Sequence, residues 1–251
     1  MRYLACLSLL VLSSSCQKPG LPAGVDMANL ETRPVSYEES GEGVQTVVLK
    51  TTKGDITIEV HPEWSPKGAE RFLTLVGNGF YDGVKFFRVL DNFMAQTGIN
   101  ADPTVHAQWK DKNIMDDPVK KSNVRGYVTF AKTGAPNSRS TQFFINTANN
   151  QRLDRDGFAP FGKVTEGMDV VDSLYSGYGE GFPNGRGPDQ QMIVARGNAY
   201  LEKSFPKLDA ITDAEIVSQP EDNNGDADGD AAAGDKADAD TATGSDENDS
   251  L

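Results

Sequence analysis

The sequence has little of what most catalytic centres and disulfide-stapled folds require. Of its 251 residues, two are cysteine (Cys6 and Cys16) and two are histidine (His61 and His106). Neither histidine has companion ligands at metal-binding spacing, which favours structural roles for both. The sequence also lacks a nucleophile elbow, a phosphate-binding loop and a dinucleotide fingerprint. We therefore expect no metal and no cofactor, and either a binding domain or a reaction that needs no proton transfer.

Positive charge is also scarce, with 24 Lys and Arg against 37 Asp and Glu and a net charge of −13. This balance argues against nucleic acid as a partner. The deficit is concentrated in residues 218–251, where eleven acidic residues face Lys236 alone, a net charge of −10. The segment has no aromatic residue and cannot bury enough apolar surface to offset the entropy of ordering. We predict a disordered acidic tail.

A calcium loop is the alternative interpretation of this tail. Acidic and amide side chains alternate there, at Asp222, Asn224, Asp226, Asp228 and Asp230. The EF-hand pattern also needs Gly at its sixth position and Glu at its twelfth. Counted from Asp222, the sixth residue is Ala227, and counted from Asn224, the twelfth is Asp235. Because neither count supplies both required residues, a solvated tail is favoured.

The N-terminal segment has the order of a signal peptide. Arg2 precedes an apolar run at residues 4–12, small residues follow, and Cys16 comes next. The run is too short to span a bilayer. The Ser-Ser-Cys ending resembles the lipobox of bacterial lipoproteins, which implies a lipid on Cys16, although Ser13 stands where that pattern prefers Leu. An ordinary cleaved signal is the alternative, and either cleavage would remove Cys6, leaving no partner for a disulfide.

These features predict the organisation of the chain. We expect a signal peptide at residues 1–15, a flexible spacer rich in Pro and Gly at 16–43, a folded domain at 44–217 with a C-terminal extension from about 198, and the acidic tail. The protein should be exported to the cell envelope or periplasm and held to a membrane by the lipid alone.

The folded domain opens with a β-hairpin and a helix. Residues 46–51 and 55–60 are rich in β-formers and flank Thr52-Lys53-Gly54, which predicts two strands and a tight turn. Ser65 and Pro66 then begin a helical pattern, in which Ser65 is placed to cap. Its apolar residues recur at i, i+3, i+4 and i+7, namely Ala69, Phe72, Leu73 and Val76.

The remaining pattern is dominated by short strands. We predict strands at residues 84–90, 93–96, 127–131, 142–146, 158–164 and 192–196, a second helix at 168–175 and weak helicity over 198–217. Eight short strands with two helices favour a closed antiparallel barrel, because closure removes exposed strand edges.

Three ordered stretches resemble cyclophilins. Residues 86–98 (FFRVLDNFMAQTG) are similar to the cyclophilin pattern Phe-His-Arg, four residues, Phe-Met-x-Gln-Gly-Gly. Residues 134–146 resemble the signature that ends in Ser-Gln-Phe-Phe-Ile, and residues 153–171 contain the third. The resemblance covers residues 46–196 and implies a mainly β fold, a closed eight-stranded antiparallel barrel capped by two helices.

The resemblance also implies peptidyl-prolyl cis/trans isomerase activity on proline-containing polypeptides, assisting the folding of exported proteins. Arg88 matches the catalytic arginine of the family. The matching substrate-binding positions are Phe93, Met94, Gln96, Ala131, Lys132, Gln142, Phe144, Leu153 and Phe158. We expect a monomer. The alternative is a catalytically weak module or chaperone that grips proline-containing segments.

Several residues depart from the family pattern. Phe87 replaces the histidine beside the arginine, Thr97 replaces a glycine, and Ala135 is an added residue. Arg152 stands where eukaryotic members have tryptophan, and Phe158 where they have an active-site histidine. These departures keep the weak-binder alternative open.

Overall fold

The computed structural model describes residues 43–217. The predicted signal peptide, Cys16, most of the spacer and the acidic tail lie outside the described residues. The strands are β1 Gln45–Thr51, β2 Gly54–Val60, β3 Arg88–Leu90, β4 Met94–Thr97, β5 Tyr127–Phe130, β6 Phe143–Asn146, β7 Pro160–Glu166 and β8 Ile211–Val217. The helices are α1 Pro66–Gly77, α2 Pro103–Trp109, α3 Arg152–Arg155, α4 Met168–Asp172, α5 Gln190–Arg196 and α6 Asn198–Ser204.

The eight strands form one antiparallel sheet in the order β3-β4-β6-β5-β7-β2-β1-β8. The predicted hairpin is present, with β1 and β2 paired from Gln45 and Val60 to Thr51 and Gly54. Gly54 adopts φ 133°, a region that L side chains rarely enter, which accounts for glycine at this end of the turn.

The sheet is a curled half-barrel, so the prediction of a closed barrel is wrong. In the described part of the chain, β3 and β8 share no ladder, and an isolated bridge between Lys85 and Ala210 joins the segments beside them. Residues 84–87 are not a continuous strand, because they pair with the segment before β8 through the isolated bridge at Lys85 and the hydrogen bond from the Phe86 amide to the Asp209 carbonyl at 2.9 Å. Phe86 belongs to the main core, whereas Phe87 packs with residues of α5 and α6.

The two-helix cap is not confirmed, since residues 43–217 contain six helices. The predicted strand at 192–196 is part of α5, which begins where the Asp189 carboxylate accepts a hydrogen bond from the Gln191 amide. A short apolar run does not distinguish a strand from a helix, which explains the error. The eighth strand is β8 instead, within the stretch predicted to be weakly helical.

Helix α1 covers the main core as its periodicity predicts. Ala69, Phe72, Leu73 and Val76 are all buried. Phe72 is fully buried and its ring lies 4.9–5.6 Å, between centroids, from three other aromatic rings, those of Tyr81, Phe143 and Phe161. Such rings dominate the burial that holds a small domain together. Among residues 43–217, no helix is long and apolar enough to cross a membrane.

Candidate active site

A cleft of about 370 Å³ lies beside strands β4 and β6. All ten site residues predicted from the sequence line it: Arg88, Phe93, Met94, Gln96, Ala131, Lys132, Gln142, Phe144, Leu153 and Phe158. Four further residues that the sequence analysis missed also line it: Thr133, Ser138, Ser140 and Gln190. A pocket of this size, with an apolar floor and a few polar groups, fits a short peptide segment.

The floor of the cleft is a small apolar cluster separate from the main core. Met94, Phe144 and Leu153 are buried in it, and Phe93 and Phe158 pack against them partly exposed. The rings of Phe144 and Phe158 meet edge to face with centroids 5.9 Å apart. The pairing of β4 with β6 aligns this floor, since these two strands carry Met94 and Phe144. The floor offers an apolar surface of the kind that a proline ring would bury.

A chain of hydrogen bonds forms the polar edge of the cleft. Arg88 on β3 is paired in register with Gln96 on β4. The Nη1 of Arg88 donates to Oε1 of Gln96 at 3.0 Å, and Nε2 of Gln96 donates to Oε1 of Gln142 at 2.9 Å. The Arg88 guanidinium also lies 5.7 Å from the centre of the Phe93 ring. Three polar side chains are therefore held in fixed orientations beside the apolar floor.

Glu180 is a second partner of Arg88, and no local sequence pattern marks it. Its carboxylate accepts from Nε and from Nη2 of Arg88, both at 2.6 Å. This pairing holds the pKa of Glu180 below its ordinary value of 4.5. The two residues are 92 positions apart, and the segment around Glu180 shows neither helical nor strand periodicity.

Ala131 and Lys132 also line the cleft. The backbone amide of Ala131 donates to the carbonyl of Gln142 at 2.8 Å, which fixes this segment to the rest of the cleft. The Lys132 Nζ lies 5.5 Å from the centre of the Phe158 ring and 4.0 Å from a carboxylate oxygen of Asp116. A cation therefore lines the cleft beside Phe158, one of the predicted substrate-binding residues.

Of the residues that depart from the family pattern, some are buried and one lies beside the cleft. Phe87 is buried against Ile193 and Leu201, and Thr97 is buried with its hydroxyl donating to the Lys85 carbonyl at 3.0 Å. Both are therefore packing residues. The Arg152 guanidinium lies 4.7 Å from the centre of the Phe93 ring, at the position where eukaryotic cyclophilins have tryptophan.

Known proteins share both the sequence pattern and the fold. Residues 46–196 match the family described as cyclophilin type peptidyl-prolyl cis-trans isomerase/CLD. A peptidyl-prolyl cis-trans isomerase of Acinetobacter baylyi is 39% identical over 138 residues, which are 51% of this chain and 70% of that protein. Peptidyl-prolyl cis-trans isomerase B of Escherichia coli is 31% identical over 182 residues, 69% of this chain and 99% of that protein.

A solved structure agrees at the level of the fold. The cyclophilin type peptidyl-prolyl cis-trans isomerase of Cryptosporidium parvum superposes with a TM-score of 0.53 at 24% sequence identity. The match covers 71% of this chain and all of the Cryptosporidium chain. The two proteins therefore share the overall fold.

Proposed function

The chain belongs to the cyclophilin-type peptidyl-prolyl cis-trans isomerase family and is a peptidyl-prolyl isomerase, and we propose that Arg88 is the residue that stabilises the twisted X-Pro bond. The observation that carries this proposal is the position of Arg88, a partly exposed guanidinium at the edge of the apolar floor.

The reaction is a rotation, so the barrier comes from conjugation between the amide nitrogen and its carbonyl. That barrier is about 18–20 kcal/mol. At the top of the barrier the bond is twisted and the proline nitrogen regains a lone pair that can accept a hydrogen bond. A donor that meets this lone pair binds the twisted bond more tightly than either planar form, and such differential binding accelerates the rotation.

The cleft provides both parts of this arrangement. A proline ring would pack on Met94, Phe144 and Leu153, which leaves its nitrogen facing the polar edge. A guanidinium has five N–H donors, and oxygen acceptors of Glu180 and Gln96 take three of those on Arg88. Of the other two, the second N–H of Nη1 faces the Sδ of Met94, a weak acceptor, at 3.9 Å, and the second N–H of Nη2 remains for a substrate.

The first prediction tests this assignment. Arg88→Ala should lower kcat/KM on a short X-Pro peptide by at least about tenfold, since losing ~1.4 kcal/mol of transition-state stabilisation has that effect. The measurement is the exchange rate between cis and trans peptide, with circular dichroism to check the fold.

Arg125→Ala is the matched control. Arg125 also forms a two-point ion pair, with Asp172, but it does not line the cleft, so its loss should leave the rate within about twofold of wild type. A folded Arg88→Ala protein with an unchanged rate would place the catalytic role elsewhere. A wild-type rate near the uncatalysed value would support the weak-binder alternative.

We also propose a cellular role. The order of Arg2, the apolar run at residues 4–12, small residues and Cys16 supports export and a lipid on Cys16. An isomerase held in this way would act on proline-containing segments of exported proteins in the cell envelope, as a monomer joined to the membrane only by its lipid. The carboxylate pairing of Arg88 does not depend on this location, and the two proposals are tested separately.

A further inference from the structure

Arg88, which lines the cleft, forms a two-point ion pair with Glu180. Both hydrogen bonds are 2.6 Å long, and the two side chains are 22% and 35% exposed, so the pair is partly shielded from water. Charge-assisted, two-point pairs of this kind fix the plane of the guanidinium as well as its position. A short surface ion pair in open solvent would have neither effect.

The loop that carries Glu180 is folded closely around it. The Gly181 amide donates to Oε1 of Glu180 at 2.9 Å, and the Gly187 amide donates to the Glu180 carbonyl at 2.8 Å. A Cβ on Gly185 would collide with the same carbonyl oxygen. The loop backbone therefore packs against the Glu180 carbonyl, and the Gly181 amide holds one oxygen of its carboxylate.

The pairing divides the donors of Arg88 between two directions. Nε and one N–H of Nη2 face Glu180, and one N–H of Nη1 faces Gln96. With Glu180 and Gln96 holding the guanidinium from two sides, its remaining N–H on Nη2 has one fixed direction before a substrate binds. Holding a donor in place before the reaction lowers the barrier because no reorientation is needed at the transition state.

We propose that Glu180 is a positioning residue for the isomerase reaction, which fixes the guanidinium of Arg88 for contact with the twisted X-Pro bond. This inference rests on the proposed role of Arg88. The same contact would have the opposite effect if Glu180 competed with substrate for Arg88, and the sign of the rate change separates the two.

The test is Glu180→Gln, which keeps the size of the side chain and removes its charge and one acceptor. We expect kcat on an X-Pro peptide to fall at least about fivefold while KM changes less than twofold, because the apolar floor that binds the proline ring is intact. Glu180→Asp keeps the charge and should recover part of the loss. In an Arg88→Ala background, Glu180→Gln should have no further effect.

Asp172→Asn is the matched control. Asp172 also accepts two hydrogen bonds from one arginine, Arg125, and it does not line the cleft, so its removal should leave kcat unchanged. An NMR spectrum of arginine Nε–H groups gives a readout independent of rate. The resonance that disappears in Arg88→Ala should exchange slowly with water in the wild type and rapidly in Glu180→Gln.

The outcomes separate this inference from the proposed function. An Arg88→Ala rate equal to wild type would remove the role of Arg88 itself. If Arg88→Ala is slow but Glu180→Gln is as fast as wild type, Glu180 does not position Arg88. A Glu180→Gln protein faster than wild type would also overturn the proposal, since it would show that Glu180 restrains Arg88 from its substrate.

Discussion

At the scale of single residues, Asp82 is a half-buried acid that lies near another acid, Asp213. Within residues 43–217 its Oδ1 has no hydrogen-bond partner. Burial, together with the nearby negative charge of Asp213, raises its pKa from 3.8 to about 6. A carboxyl group with a raised pKa favours the folded state while protonated and opposes it once ionised.

Because the pKa of Asp82 is raised in the folded state, the free energy of unfolding should fall as the pH rises. Between pH 3.8 and 6 the folded protein retains a proton on Asp82 that the unfolded chain releases, so this group lowers stability as pH rises through that window. Asp82→Asn removes the ionisation. We expect its Tm at pH 7.5 to be about 2–4 °C above wild type, with the difference vanishing near pH 4.

Thermal unfolding followed by circular dichroism at pH 4, 5.5 and 7.5 checks the Asp82 prediction. The exposed Asp156, changed to Asn, is the control and should stay within about 1 °C of wild type. A constant difference in Tm between Asp82→Asn and wild type at all three pH values would mean that the variant acts through packing alone.

The candidate site shows how far residue-level prediction from sequence extends. All ten predicted residues line one cleft, because their positions within three ordered signatures carry the spatial relation with them. Glu180 lies in a glycine-rich segment outside those signatures and reaches Arg88 through tertiary folding. Nothing local in the sequence marks such a contact, so the sequence does not predict that Glu180 contacts Arg88.

At the scale of elements, the N-terminus of α1 is capped by a different residue from the one predicted. Ser65 precedes Pro66 as expected, but its hydroxyl donates to Asp117 at 2.6 Å instead of capping the helix. Asp117 also accepts from the Gly68 amide at 3.0 Å and from Nη2 of Arg139 at 3.0 Å. A carboxylate from a distant loop therefore satisfies the helix end.

This capping contact leads to a prediction for stability. The Asp117 and Arg139 side chains are 4% and 1% exposed, so removal of one leaves the other charge buried. Asp117→Ala should lower the free energy of unfolding by about 3–5 kcal/mol. Urea unfolding measures this free energy. As a control, Asp172→Ala breaks an exposed ion pair and should lower the free energy of unfolding by less than about 1 kcal/mol.

The pH dependence of the same contact has a definite sign. Burial opposes ionisation of Asp117, but the hydrogen bonds from Ser65 and Gly68 and the charge of Arg139 together hold its pKa below 3.8. Its stabilisation is therefore complete above pH 3.8 and is lost as the pH falls through the lower folded value. Equal stability losses for Asp117→Ala and Asp172→Ala would contradict the capping role.

Elements with a strong local signal were predicted well, and elements defined by their surroundings were not. The hairpin and α1 follow from alternation, turn residues and apolar spacing, all of which are local. Helix α5 was misassigned because its short apolar run fits a strand or a helix equally, and strand β8 because it is defined by pairing with β1. Ladder partners far apart in sequence cannot be read from one segment.

At the scale of the whole molecule, charge cannot bring this protein to a membrane. The chain carries −13 overall, of which −10 lies in residues 218–251. Anionic lipid surfaces attract clusters of Lys and Arg and repel such a chain. The proposed attachment therefore relies on the lipid on Cys16 and gains nothing from the net charge, so the anchor can be tested without a competing electrostatic contribution.

The last prediction is that the wild-type protein, expressed with its own N-terminus in a bacterium, enters the detergent phase and that Cys16→Ser stays in the aqueous phase. One acyl chain gives only marginal binding, whereas the several chains of the bacterial lipoproteins that this N-terminus resembles should hold it firmly. Phase separation in detergent and intact mass of both proteins are the measurements. Because every lining residue of the cleft lies within residues 43–217, Cys16→Ser should keep the wild-type isomerase rate. A soluble wild-type chain that begins at any residue other than Cys16 would disprove the anchor, and it would leave the isomerase activity intact.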